Sequence, residues 1–223
     1  MPQLHERIPE PELMEEWEQA EAYARADFSA PHEMFVDLFI ERFGDRQEGV
    51  FIDLGCGSAD ITIRMARRCP NMKFHGVDGS RAMLHFAQNA ISAQGLDDRI
   101  SLFHGRVPEF TGPLHPYDGA VINSLLHHLP DPAVLWDYLK RCVKRGGIIF
   151  VMDLMRPAST EQARSMVERY SGSEPEVLKR DFYNSLLAAF RPDEVRIQLE
   201  QAGLLHLDVE EISDRHLLLS GHL

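Results

Sequence analysis

A chain of 223 residues, 44% of them hydrophobic, suits one α/β domain with additions rather than two full domains. Its formal net charge of −12 opposes nucleic-acid binding, which draws affinity from Lys and Arg neutralising phosphates. No apolar run is long enough for a membrane span, and the first residues carry no basic-then-apolar leader pattern. Cys56, Cys69 and Cys142 are odd in number and lack metal-ligand spacing, so the expectation is a reducing, cytoplasmic setting with no disulfide and no metal.

Residues 10–28 read as a helix, because Leu13, Trp17, Ala20, Ala24 and Phe28 recur at three- or four-residue spacing. Pro31 opens a second helix, with Phe35, Leu38, Phe39, Arg42 and Phe43 on one face and Gly44 as its stop. Neither helix can bury its apolar side alone, so residues 10–43 form a helical cap across the later domain. Tyr23, Arg25 or Phe28 could then close a pocket. Val50–Leu54 is a short buried strand, followed by a turn with Gly55 and Gly57 and a helix over 59–68 that Pro70 closes. Phe74–Gly79 is the second strand. Ser80 caps the helix beginning at Arg81, which Gly95 ends. Ile100–His104 is the third strand, and Gly105, Arg106 and Val107 follow at its end. Tyr117–Asn123 is the fourth. Asp131-Pro132 starts a helix that Gly146-Gly147 stops, and Ile148–Asp153 is the fifth strand. The right-handed crossover rule makes these strands parallel, with helices on both faces. Arg64, Arg67 and Arg68 lie late in one helix, and Lys140, Arg141, Lys144 and Arg145 late in another. Both groups read as solvated helix ends.

Two helical segments near 161–170 and 175–190 interrupt the alternation. An insert after a strand's carboxyl end falls over the site, so residues 155–190 read as a substrate lid, with Arg180, Tyr183 and Asn184 as candidate contacts. Residues 191–223 supply one more helix, ending at Gly203, and two strands around Ser213-Asp214.

The chemistry centres on the first strand and its glycine turn. Strand, glycine turn and helix bring bare backbone and a helix N-terminus up to a ligand. Asp78 ends the next strand about twenty residues beyond Gly57, the separation at which a carboxylate reaches a ribose. The dinucleotide fingerprint needs a third glycine where Asp60 stands. A carboxylate there, and Asp53 before the turn, oppose a pyrophosphate and suit a ligand with positive charge. S-adenosyl-L-methionine has an adenosine, no phosphate, a sulfonium and an ammonium.

Asp53-Leu54-Gly55-Cys56-Gly57, Val77-Asp78, Tyr117–Asn123 and Leu126-His127-His128-Leu129-Pro130-Asp131-Pro132 resemble the successive motifs of class I S-adenosylmethionine-dependent methyltransferases. The resemblance covers roughly 48–153 and is nearest to the branch that methylates small molecules, including ubiquinone and menaquinone precursors. Two positions depart from the pattern: Ala59, where many members have glycine, and Arg106, where many have an acid near the adenine. The resemblance implies an α/β, Rossmann-like, doubly wound, mostly parallel seven-stranded sheet with an antiparallel C-terminal hairpin and helical cap elements. It implies a cofactor site of Asp53, Gly55, Cys56, Gly57, Asp78, Gly79, Met83, Arg106, Val107 and Asn123. Met83 would lie on the adenine, a role to set beside plain gap filling in the core.

Methyl transfer from a sulfonium needs alignment above all, and alignment alone can contribute roughly 7–11 kcal/mol to lowering a barrier. A base is needed only where the acceptor must lose a proton. His127 and His128 are the candidates, against a purely architectural role for the Leu-His-His-Leu-Pro loop. The expected reaction is methyl transfer to a small-molecule acceptor, with Tyr23 and Phe28 near it. An NAD(P)-linked oxidoreductase and a non-catalytic S-adenosylmethionine-binding regulator stay as alternatives.

Overall fold

The computed structural model describes residues 6–10, 16–113 and 116–223. The elements in chain order are α1 (Trp17–Arg25), α2 (Ser29–Phe43), β1 (Gly49–Leu54), α3 (Asp60–Arg68), β2 (Met72–Asp78), α4 (Arg81–Ala93), β3 (Ile100–His104), β4 (Tyr117–Asn123), a 3-10 turn (Leu126–His128), α5 (Ala133–Cys142), β5 (Val143–Leu154), α6 (Thr160–Ser171), α7 (Glu176–Ala188), α8 (Pro192–Ala202), β6 (Asp208–Glu211) and β7 (His216–His222). The seven strands form one sheet in the order β3-β2-β1-β4-β5-β7-β6. β1 to β5 are mutually parallel, and β7 runs antiparallel to both β5 and β6. The expected doubly wound sheet with its closing hairpin is therefore the observed one.

The sheet buries both faces. One covers Ile52, Leu54, Ala120, Ile122 and Ile149 against α5 and α8, through Trp136, Leu139, Val195 and Leu199. The other covers Phe51, Phe74, Val121 and Phe150 against α2, α3 and α4. There Phe35 and Phe39 meet the Phe150 ring edge-on, at centroid distances of 4.9 and 5.3 Å, an arrangement that suits ring quadrupoles. Arg99 closes the crossover from α3 into β2, donating to the carbonyls of Ala66, Cys69 and Met72. These carbonyls have no partner within a helix.

Several boundaries differ from the sequence reading. The first helix begins at Trp17 and ends at Arg25. Leu13 lies outside the described residues, and Phe28 belongs to the entry into α2. Trp17 is half exposed and stacks on His85 and Phe86 of α4. The helix before β5 stops at Cys142, because Val143 already takes extended dihedrals. Gly146-Gly147 sits inside β5, where Gly146 has φ 77 and the pairing with β4 shifts register. Lys144 and Arg145 are consequently strand residues rather than a helix end, and Lys144 pairs with Asp118 at 2.5 Å. The late arginines of α3 are paired too, Arg64 with Asp60 and Glu33, and Arg68 with Asp37. Among the described residues no helix is long and apolar enough to cross a membrane.

Helices α6 and α7 lie beyond the carboxyl end of β5, packed on Leu154 through Ala163, Met166, Val167, Leu186 and Leu187. The insert thus sits on the side of the sheet where a lid over the site would be.

Candidate functional site

The strand order reverses between β1 and β4, and ligands of open α/β sheets bind at such a switch point beyond the strands' carboxyl ends. Gly55 and Gly57 make the turn leaving β1 with φ 71 and 53, a region where a side chain is strained. A Cβ on Gly57 would approach Met83 Cε to 3.2 Å, and one on Gly55 would approach Leu125 to 3.1 Å. Ala59 occupies the same left-handed region, φ 64. Its methyl is fully buried.

The Asp78 carboxylate ties the two turns together. One oxygen accepts from the Gly57 N–H at 2.8 Å and the other from the Ser80 N–H at 2.7 Å. A carboxylate oxygen has two lone pairs, so each keeps one for a ligand. Burial raises the Asp78 pKa, against these two backbone bonds. Asp53 is buried at the end of β1 and accepts from the Thr62 hydroxyl. Burial pushes its pKa up to about 7; the Thr62 bond opposes this and the Asp78 charge adds to it. The Tyr23 phenol, raised to about 12 by burial and by Asp78 and Asp60, stays neutral.

A cavity of about 360 Å³ opens above this floor, lined by Gly55, Gly57, Asp78, Gly79, Met83, Arg106, Val107 and Asn123 among others. Asp53 and Cys56 line a small adjoining recess. The ten expected cofactor-site residues therefore surround one connected region. Asn123 Oδ1 is buried in it without a hydrogen-bond partner, an acceptor facing ligand space. Ser80, Ser124 and Leu129 also line the cavity; in the sequence Ser80 reads as a helix cap and Leu129 as part of the loop motif, but none of the three as part of the site.

A second cavity, about 310 Å³, lies between the cap and the insert. Its walls include Tyr23, Phe28, Asn123, His127, His128, Leu178, Phe182 and His216. Tyr23, Asn123 and His128 also line the first cavity, so the two chambers meet there. Three of the expected contacts are corrected. Arg180, Tyr183 and Asn184 line neither chamber. Arg180 is directed to Asp181 at 3.1 Å with its side chain largely exposed, and Tyr183 packs against the Leu154 cluster. The helix turns Leu178, Asp181, Phe182 and Ser185 inward instead. Arg25 is bound to Glu21 on the outer side of α1.

The two histidines differ. His127 is buried, and its Nδ1 lies 2.5 Å from Asp153 Oδ1. Asp153 also accepts from the N–H groups of Leu126 and Leu154, which fixes the carboxylate and through it the imidazole. Against the burial that lowers it, the Asp153 charge and hydrogen bond raise the His127 pKa. His128 stacks on His127 at 4.1 Å between centroids, and its pKa is lowered by burial and by the adjacent His127. Glu10, which the sequence reading treated only as the start of a helix, comes within 3.5 Å of His127 and 2.9 Å of His128.

A family model described as a methyltransferase domain matches residues 52–149. The demethylmenaquinone methyltransferase of Bacillus cytotoxicus is 32% identical over 107 residues, 48% of this chain and 45% of that protein. The chain spans about half the length of that curated relative. Among solved structures, a SAM-dependent methyltransferase from Aquifex aeolicus superposes with TM-score 0.67 at 16% identity, covering 91% of this chain and 96% of the other. The plantazolicin methyltransferase, in complex with a triazolic desmethyl analog and SAH, also gives 0.67, at 14% identity and 92% and 90% coverage. These two similarities establish the fold.

Proposed function

From the match of residues 52–149 to a family model described as a methyltransferase domain, we propose that the protein is a methyltransferase that transfers a methyl group from S-adenosyl-L-methionine to a small molecule. The observation that carries this reading is the Asp78 carboxylate, with a lone pair left on each oxygen, on the floor of a chamber at the sheet's switch point. The residues present fit that cofactor. Asp78 receives a ribose diol. Gly55, Cys56, Gly57 and Gly79 offer close backbone. Met83, Arg106 and Val107 flank the adenine side. Asp53 and the unpartnered Asn123 Oδ1 serve the cationic end. Asp60 supports the exclusion of a pyrophosphate ligand, because its carboxylate occupies the first turn of α3, held by His32 and Arg64. This weighs against the oxidoreductase alternative.

When bound, the cofactor supplies an already activated methyl group on sulfur. The chain's part is alignment: Tyr23, Asn123 and His128 stand where the chambers join, and a fixed approach is what a displacement most needs. The second chamber suits a small organic acceptor, with Tyr23, Phe28 and Phe182 as apolar walls. A polymeric nucleic acid fits neither that enclosure nor the chain's acidic balance. Three buried free cysteines accord with a reducing, cytoplasmic location. Equilibrium dialysis of the purified protein against labelled S-adenosyl-L-methionine and against NAD tests the cofactor. Labelled methyl transfer into a metabolite extract tests turnover. Binding of NAD alone would overturn the reading, and cofactor binding without any labelled product would leave a binder in place of an enzyme.

A further inference from the structure

One cluster stands out from the cofactor chamber. Glu10, His127 and His128 bring three potential ligand atoms within 4.8 Å of one another, from two distant parts of the chain. Their polar atoms are poorly provided for. Glu10 Oε2 and His128 Nδ1 are buried with no hydrogen-bond partner; His128 Nδ1 approaches Glu10 Oε1 to 2.9 Å without the alignment a hydrogen bond needs. Asp153 holds His127 through Nδ1, which turns Nε2 toward Glu10 Oε1, 3.5 Å away. Three potential ligand groups therefore converge in a buried space. Buried polar atoms left unsatisfied are destabilising, and one cation held among the three groups provides for them.

We propose that Glu10, His127 and His128 form a divalent-cation site of the zinc class, with Asp153 orienting His127. Two imidazoles and one carboxylate with a position left open is a donor set of catalytic zinc sites. A tetrahedral shell with bonds of about 2.0–2.1 Å places neighbouring ligand atoms ~3.3 Å apart, close to the His127–Glu10 separation. Carboxylate, histidine and metal in line is the usual second-sphere arrangement around a bound cation. The Ser185 hydroxyl donates to Glu10 Oε1 at 2.9 Å and steadies the third ligand. Arg7 is the opposing charge nearby, engaged with the carbonyls of His127 and Ala188. The Glu10 and Asp153 carboxylates outweigh it.

The location gives the site a purpose. Glu10 and His128 line the cofactor chamber, and His127 and His128 line the acceptor chamber, so the open position faces their junction. Resting on the methyl-transfer reading, the fourth ligand is the accepting group itself, an ionisable hydroxyl or thiol.

The test uses untagged, full-length protein stripped with a chelator. Zn(II) alone is titrated in competition with a chromophoric chelator, Co(II) is substituted for its visible spectrum, and bound metal is counted by mass spectrometry. The expected result is one equivalent per chain and a tetrahedral Co(II) spectrum. Glu10→Gln and His128→Ala should each weaken binding at least 100-fold, Asp153→Asn should weaken it 10–100-fold, and the distant His206→Ala should leave it unchanged. Circular dichroism of each variant separates lost ligation from lost folding; Glu10→Gln, the mildest change, decides the matter if His128→Ala does not fold. Absence of stoichiometric metal, or binding that survives Glu10→Gln, overturns the site. The titration contains neither cofactor nor acceptor, so its outcome is independent of the dialysis that tests the methyl-transfer reading.

Discussion

Asp53 should couple cofactor binding to proton release. Its carboxyl is buried at the base of the glycine turn, bonded to Thr62, and burial raises its pKa to about 7. In the free protein it is therefore about nine-tenths protonated at pH 6 and about one-tenth at pH 8. A cationic ligand group nearby lowers a carboxylate by roughly 1–3 units. With a shift of about 2 units, binding releases about 0.8 proton at pH 6 and less than about 0.1 at pH 8. Affinity is then about tenfold weaker at pH 6 than at pH 8, because the cation must first displace that proton. Calorimetric titration with S-adenosyl-L-methionine, repeated in buffers of different ionisation enthalpy at each pH, reads proton number and affinity together. Asp53→Asn keeps the shape and removes the titration, so the difference between wild type and variant isolates this group from the ligand's own amine. If the two proteins show the same proton count and the same pH profile, the carboxylate does not sense the ligand's charge and the assignment fails.

Three further outcomes are expected. Asp78→Ala should weaken cofactor binding by at least 100-fold in equilibrium dialysis, since each lost charge-assisted bond is worth about 1.5–3 kcal/mol; near-wild-type affinity would remove Asp78 from the ribose. The buried His216 is held neutral, with its pKa lowered to about 4 by burial and by Arg215. The unfolded chain binds the extra proton between pH 6.5 and 4, so this group's contribution to stability is present above that window and falls by about 3 kcal/mol as pH drops through it. Asp53 acts in the opposite sense over an overlapping range, so the comparison is urea unfolding of wild type against His216→Gln at each pH; parallel profiles would refute it. Arg99→Met should cost about 2 kcal/mol, by removing the side-chain donor from the carbonyls of Ala66 and Met72, while Cys69 keeps the Met72 N–H, and an unchanged urea midpoint would contradict it.

The sheet and the chamber at its switch point were legible because their signals are local. Two glycines after an apolar run, and an acid at the next strand's end, are all read within a few dozen residues. Asp53, Gly57 and Asp78 accordingly fall together where expected. The acceptor side was harder to read. The apolar stripe of α7 gave the helix, but its phase on the sheet's rim decides whether Phe182 or Tyr183 faces inward, and that depends on packing against Leu154. The Glu10 contact leaves no trace in spacing, because its partners lie on the far side of the core in sequence. The mistaken glycine stop before β5 has a simpler origin. Gly146 bends an already extended strand, and a glycine pair does not distinguish a bend from an ending.

The two chambers draw unequally on the chain. Apart from Glu10 and Tyr23, the first takes its described walls from between Leu54 and Pro130, inside the matched stretch 52–149, whereas the second adds Phe28 from before that stretch and Leu178, Phe182 and His216 from after it. Selection can redraw one compartment while the other stands still. Descendants of such a scaffold should diverge in what they modify far faster than in what they modify it with, and grafting a foreign cap and insert onto this core is a direct route to a new acceptor.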